Sequence, residues 1–281
     1  MLWILCSPFV YRYIEDYLHA NLMSRVVDHR LVFPPIDHQI VADMDTENDT
    51  LLFVQDILPG FSPPTGIRVL VLNIEQYTRG LCREMMQRCA SMGISTVLDY
   101  SSVNVPGSIY FPYTRWNTEV LRLQHLLHTT PKIYDIVVVG TRSLRREQVL
   151  HEIARLRPGT TFCLMDNMWG EERDQKIAGA RVMLNIHFAD DYGIYESIRC
   201  DRWVFAGMPV ITETAMIPEK NEHNLEQYMY SSSYTDLPTT TVQFLEDGSQ
   251  DIDPDKWKRI QEMAVYRDQY VQSILKTLHL S

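Results

Sequence analysis

Glu196 and Arg199 stand three residues apart in the stretch NIHFADDYGIYESIRCDRWVFAGMPVITE, which runs from Asn185 to Glu213. At helical spacing the two share one face. A carboxylate accepts two hydroxyl donors and so suits a ribose diol, while a guanidinium one turn later suits a diphosphate. Taken alone, the pair reads better as an exposed salt bridge worth under about 1 kcal/mol. A second group of similar chemistry is Gly140-Thr141-Arg142-Ser143, followed by Arg145 and Arg146. Glycine permits close approach, and hydroxyls, a helix N-terminus and guanidinium groups favour phosphate oxygens. The plain alternative is a turn with Ser143 as N-cap and solvated arginines. Neither the GxxxxGK[ST] loop nor the GxGxxG fingerprint occurs.

Three carboxylates of the first half follow runs of strand type and are candidates for taking a proton from a hydroxyl. They are Glu75 after Val69 to Asn73, Asp99 after Thr96 to Leu98, and Asp56 after Leu51 to Val54. Asp16, on the first helix, and His38, in a loop rich in Pro and Asp, are further choices. Each has an ordinary alternative as a capping or solvated group, and burial and pKa are what would separate a base from these. His187, at a strand end, is either a ligand contact or a structural histidine. Trp116, Trp169 and Trp203 carry flat faces able to stack a sugar or a base. Trp203 reads as core, and Trp169, after Asp166-Asn167-Met168, as a neighbour of a base. Asp251, Asp253 and Asp255 alternate like calcium ligands, but the Gly and terminal Glu of a calcium loop are missing; Asp253 before Pro254 reads better as a helix cap.

The elements that must position these residues follow from periodicity. Strand-length apolar runs alternate with helical segments, the signature of parallel sheets with crossover helices. In the first half the strands are Leu2 to Cys6, Leu51 to Val54, Val69 to Asn73 and Thr96 to Leu98, with helices near Val10 to Asn21 and Gly80 to Met92, the latter closed by Gly93. In the second, IYDIVVV (Ile133 to Val139) leads through Gly140 into a helix with Val149, Ile153 and Leu156 on one face. A strand at Thr160 to Met165, a short helix ending at Gly179, a strand at Val182 to His187, a helix from about Ile194 to Phe205 and the strand VIT follow. Asp253 to Leu278 reads as a terminal helix. HTTPK (His128 to Lys132) interrupts both periodicities, so two domains, 1–130 and 131–281, are expected. Ligands of open parallel sheets bind beyond the carboxyl ends of the strands, where both groups of the second half fall.

The stretch from Asn185 to Glu213 resembles the donor-binding region of GT-B glycosyltransferases, in which a Glu-bearing helix precedes a small-Gly-x-Pro-Val-Ile turn; here Glu196 stands before Ala206-Gly207-Met208-Pro209-Val210-Ile211. Gly140 to Arg146 is similar to the family's other phosphate loop. LNIEQ (Leu72 to Gln76) and LDYSSVN (Leu98 to Asn104) resemble segments of short bacterial and large-virus members, and size and layout resemble a chlorovirus capsid-glycan transferase, a xylosyltransferase being one candidate. The resemblance implies an α/β fold of two Rossmann-like doubly wound domains facing a cleft, with a C-terminal helix crossing back to the first domain. It also implies a nucleotide-sugar donor, UDP-linked first, held by Gly140, Thr141, Arg142, Ser143, Arg146, His187, Tyr195, Glu196 and Arg199. The acceptor would be a glycan or glycoprotein hydroxyl. Many retaining members carry two glutamates separated by seven residues, whereas Val204 stands eight positions after Glu196. An inverting enzyme is therefore expected, its base supplied by Glu75, Asp99 or Asp56. Asp43-Met44-Asp45 is a DxD sequence, a metal-holding element of the GT-A architecture. In GT-B enzymes helix termini and basic side chains do that work, so no metal or other cofactor is expected.

Composition narrows the remaining classes. Among 281 residues, 26 are Lys or Arg and 36 are Asp or Glu; the resulting charge of −10 argues against broad nucleic-acid binding. No run approaches the ~20 apolar residues of a membrane span, and MLWIL is too short and lacks the basic flank of a signal peptide. The five cysteines are odd in number and include no CxxC pair, which argues against a disulfide framework or zinc site and fits a reducing cytoplasm. Two rivals stand beside the transferase reading: a two-lobed sugar- or nucleotide-binding module without catalysis, and a Rossmann oxidoreductase, which lacks its glycine fingerprint.

Overall fold

The computed structural model describes residues 1–58, 60–219, 224–248 and 253–280, and these form two compact units. Unit 1 comprises Met1–Thr114 with Asp268–Ser281, and unit 2 comprises Arg115–Arg267. The first boundary falls before the HTTPK segment, because a helix over Asn117–Thr129 that the sequence reading left in the first domain packs with unit 2.

Unit 1 contains strands β1 (Leu2–Leu5), β2 (His29–Val32), β3 (Thr50–Val54), β4 (Arg68–Asn73), β5 (Val97–Asp99) and β6 (Ile109–Tyr110), with helices α1 (Pro8–Leu18), α2 (His38–Ala42) and α3 (Gly80–Ser91). All strand pairs are parallel, in the order β2-β1-β3-β4-β5-β6. Trp3, Leu5, Leu51, Phe53 and Val71 form its core with Met85 and Cys89 from α3, a burial that drives the layering. Gly93 adopts φ +68 and ends α3, as its place after the helix predicts. The short strands β2 and β6 were not anticipated.

Unit 2 begins with α4 (Asn117–Thr129) and continues through β7 (Tyr134–Val139), α5 (Leu144–Leu156), β8 (Phe162–Met165), α6 (Gly170–Ala178), β9 (Ala180–Asn185), α7 (Ser197–Ala206), β10 (Val210–Glu213), β11 (Tyr230–Ser232) and α8 (Leu237–Asp247). Its sheet is parallel throughout, in the order β11-β10-β9-β7-β8. After β7 the chain moves outward to β8 and then returns to place β9 on the other flank of β7. The gap between the ends of β7 and β9 is thus a topological switch point. Ile136, Val138, Val182, Leu184 and Ile211 pack beneath Val149, Ile153 and Leu245.

The last helix, α9 (Pro254–Thr277), contributes to unit 2 up to Arg267 and to unit 1 from Asp268. Asp253 caps it, its Oδ1 accepting from the Lys256 N–H at 3.0 Å; Asp251, part of the calcium-like alternation, lies outside the described residues. All five cysteines are buried and free, and burial pushes the Cys6 and Cys82 thiols up to about 12. Among the described residues no helix is long and apolar enough to cross a membrane.

Candidate donor site

Gly140 ends β7 with φ +114, a conformation side-chain-bearing residues rarely adopt. A Cβ there would stand 2.9 Å from Arg146 Nη1 and 3.2 Å from Arg199 Nη2. Two guanidinium groups, one from each of two helices, therefore close over this glycine at the switch point. Arg146 lies in the first turn of α5, where the N-cap Ser143 accepts the Arg146 N–H at 3.3 Å. Its side chain is 3% exposed and donates from Nε to Ile186 O (2.9 Å) and from Nη1 to Thr141 O (2.6 Å). Arg199 Nη1 donates to Asn185 Oδ1 at 3.0 Å and to Glu196 Oε2 at 2.5 Å. Both guanidinium groups reach within 3.2 Å of one point, and like charges so close repel by about 2–3 kcal/mol at an effective dielectric near 20. Glu196 meets Arg199, and a bound anion would favour both groups further.

The helical face shared by Glu196 and Arg199 is corrected in one respect. α7 begins at Ser197, and Glu196 is its N-cap, with φ −87 and ψ 64. The carboxylate meets Arg199 from outside the helix instead of along it. Ser197 Oγ, at the first helical position, and His187 Nε2 are buried polar atoms without a hydrogen-bond partner. Tyr195 turns elsewhere: it is 2% exposed, and its hydroxyl donates to Asp201 Oδ1 at 2.6 Å. Asp201 in turn pairs with Arg267 at 2.6 Å. Burial pushes the Tyr195 hydroxyl far up and also raises Asp201, against the pull of Arg267. That makes Tyr195 an interior support of unit 2 and not a ligand contact.

Thr141 and Arg142 are exposed on the β7–α5 loop, and Arg142 borders a hollow with Asp166 whose floor is Val138, Leu150 and Leu164. Trp169 is half-buried just before α6, Trp116 half-buried just before α4, and Trp203 is core. Two residues missed by the sequence reading complete the neighbourhood. Asn185 ends β9 and bridges Arg199 to Thr212, and Glu213 ends β10 and binds Arg145 through both oxygens at 2.5 Å. Arg145 is thereby engaged away from Gly140. Polar residues closing otherwise apolar strands were the available signal.

In unit 1 the three carboxylates occupy distinct settings. Asp99 is fully buried and accepts from Asn73 Nδ2 (2.7 Å), the Ser101 N–H (2.9 Å) and Asn104 Nδ2 (3.0 Å). Glu75 pairs with Arg79 and keeps a side-chain exposure of 16%, while Asp56 is exposed and pairs with Arg88 at 3.0 Å. Asp16 is buried and His38 exposed on α2. The DxD residues serve local structure: Asp43 accepts from Gln39, and Asp45 accepts from Asn48 and the Glu47 N–H. Among the described residues no group of three or more His, Cys, Asp or Glu is arranged to hold a metal.

The fold is the GT-B fold of glycosyltransferases. The chain is similar to a glycosyltransferase involved in avilamycin A biosynthesis, AviGT4, with TM-score 0.56 and 12% identity over 99% of this chain and 98% of that one. It is similar to an alpha-glucosyltransferase solved with UDP and a 13-mer DNA (TM-score 0.57, 9% identity, 96% and 94% covered). TarM gives TM-score 0.51 at 9% identity, covering 83% of this chain and 55% of TarM. By sequence, the chain is related to uncharacterized proteins of Acanthamoeba polyphaga mimivirus. One is 38% identical over 52% of this chain and another 28% identical over 86% of it. The chain spans only 20% of the length of the first of these and 79% of the second. No protein-family model matches the chain.

Proposed function

We propose that the chain is a glycosyltransferase whose unit 2 binds a nucleoside-diphosphate sugar. The observation that carries the reading is the convergence of the Arg146 and Arg199 guanidinium groups over Gly140 at the switch point. The diphosphate lies against these guanidinium groups and the start of α5, with Ser143, Thr141 and Arg142 around it. Glu196 takes the ribose diol, exchanging part of its contact with Arg199. Positive charge fixed in place favours departure of the nucleotide without a metal, because it stabilises the developing diphosphate charge. UDP-linked donors, a xylosyl donor among them, are the first to test, and the acceptor is a glycan or glycoprotein hydroxyl in the cytoplasm.

Val204, buried on α7, stands where a second glutamate would support retention, and this favours inversion. The base is then Glu75 in preference to Asp99, since Glu75 retains partial exposure while every oxygen of Asp99 accepts hydrogen bonds. A screen of nucleotide sugars for slow hydrolysis and for thermal stabilisation tests the proposal, because ligand binding raises apparent stability by mass action. Glu196→Ala and Arg199→Ala chains that keep full donor affinity and turnover would sink it. The engagement of both leading base candidates favours one alternative, a nucleotide-sugar-binding module without catalysis, whose mark is tight binding with no release of nucleotide.

A further inference from the structure

Glu213 organises more than the end of a strand. Its oxygens each take an N–H of Arg145 at 2.5 Å, Oε2 accepts the His187 backbone N–H at 3.0 Å, and Oε1 lies 3.8 Å from His187 Nδ1. Arg145 is held in turn by Asp190 at 2.7 Å and by the Tyr234 ring, 3.7 Å from its guanidinium carbon. Glu213 is 5% and His187 1% exposed, so one ring nitrogen of a buried imidazole faces a fixed carboxylate. The other, Nε2, is buried with no hydrogen-bond partner. Folded interiors seldom leave such an atom bare. The residue before it, Ile186, supplies the carbonyl that holds Arg146.

We infer that Glu213 is a positioning residue, holding His187 so that its Nε2–H donates to a phosphate oxygen of a bound nucleoside diphosphate. The inference rests on the donor-site reading above. With its proton on Nε2, the imidazole presents there a donor that no protein group accepts. A donor without an acceptor, one residue from the carbonyl that fixes Arg146, matches an oxyanion better than a cationic or apolar group.

Isothermal titration of the full chain with UDP, GDP and ADP in turn, joined to nitrogen-15 NMR of labelled histidines, tests this. The nucleotide that binds the unaltered chain should move the His187 Nε2 resonance. It should bind about tenfold more weakly to His187→Ala and about fivefold more weakly to Glu213→Gln. His187→Gln, which keeps a terminal N–H, should recover most of the affinity, and this comparison holds even where Glu213→Gln fails to fold. An Nε2 resonance unmoved at saturation, or unchanged affinity in His187→Ala, overturns the inference while leaving the donor site standing. Failure of the unaltered chain to bind any of the three nucleotides overturns the donor-site reading itself.

Discussion

Arg199 Nη2 lies 3.2 Å from the point where a Cβ on Gly140 would stand, so the missing side chain at the end of β7 is what lets a guanidinium from α7 close over that strand. The contact joins the two stretches singled out in the sequence, which are separated by three intervening elements, α5, β8 and α6, before β9 brings the chain back.

Gly140→Ala should therefore fail in two ways. The positive φ costs about 1–3 kcal/mol for a residue with a side chain, and the methyl would stand 2.9 Å from Arg146 Nη1. Chemical denaturation should register the loss, and nucleoside-diphosphate affinity should fall by about tenfold or more. Gly159→Ala is the control, with φ +88 and nothing within 4 Å of the added carbon. It should cost about 1 kcal/mol and leave binding intact.

Asp99→Asn should lower the stability of unit 1 by about 2–4 kcal/mol, because the new amide nitrogen would face either the Asn73 and Asn104 amides or the Ser101 N–H, which are donors already. Urea unfolding followed beside turnover measures this. A chain as stable as the parent but inactive would give Asp99 a chemical role instead.

Asp174→Ala should destabilise unit 2 by about 3–5 kcal/mol. The carboxylate is almost fully enclosed and shared by Arg122, Arg173 and Arg202, with Arg202 at 2.8 Å; burial still raises it above its ordinary value. Removing it takes one carboxylate from a buried cluster of positive charge that Glu119 also meets. Glu152→Ala, which breaks an exposed pair with Arg155, should leave stability nearly unchanged. Thermal melts that rank the two variants in the opposite order would refute this account of α4, α6 and α7.

Acid should weaken unit 1 through Asp49. Burial alone would push that carboxyl up, but hydrogen bonds from the Trp3 indole at 2.7 Å, the Met1 ammonium at 2.9 Å and the Asp45 N–H at 3.0 Å take it below its ordinary value. A depressed folded value means the contribution is complete above the unfolded pKa, about 3.9, and is lost as pH falls through the folded one. Stability measured from about pH 6 down to pH 2 should fall less steeply in Asp49→Asn than in the parent chain.

Strands with nearly continuous apolar runs, such as Val69 to Asn73 and Ile133 to Val139, were legible because such runs have few other uses. The edge strands β2 and β6 were not, since HRLV and the two-residue IY carry no such run. Helix α4 was hidden by its company: its buried face includes Glu119, which is polar in sequence and apolar in effect only because Arg122 and Arg202 neutralise it. The same limit governed the site. Gly140, Arg146, Glu196 and Arg199 stand out by type and spacing, and the structure brings them together, whereas the setting of Tyr195 and Asp99 depends on where their polar atoms find partners. Glu213 resembled any polar residue after a strand until Arg145 and His187 were seen to share it.

Because α9 delivers Asp268 onward back to unit 1, the two units cannot mature in the order they are translated. Most of unit 1 leaves the ribosome first, yet it must wait with Val271, Ile274 and Leu275 missing from its interior until the whole of unit 2 has been synthesised. A nascent chain stalled before Asp268 would thus carry all of unit 2 and an unfinished unit 1.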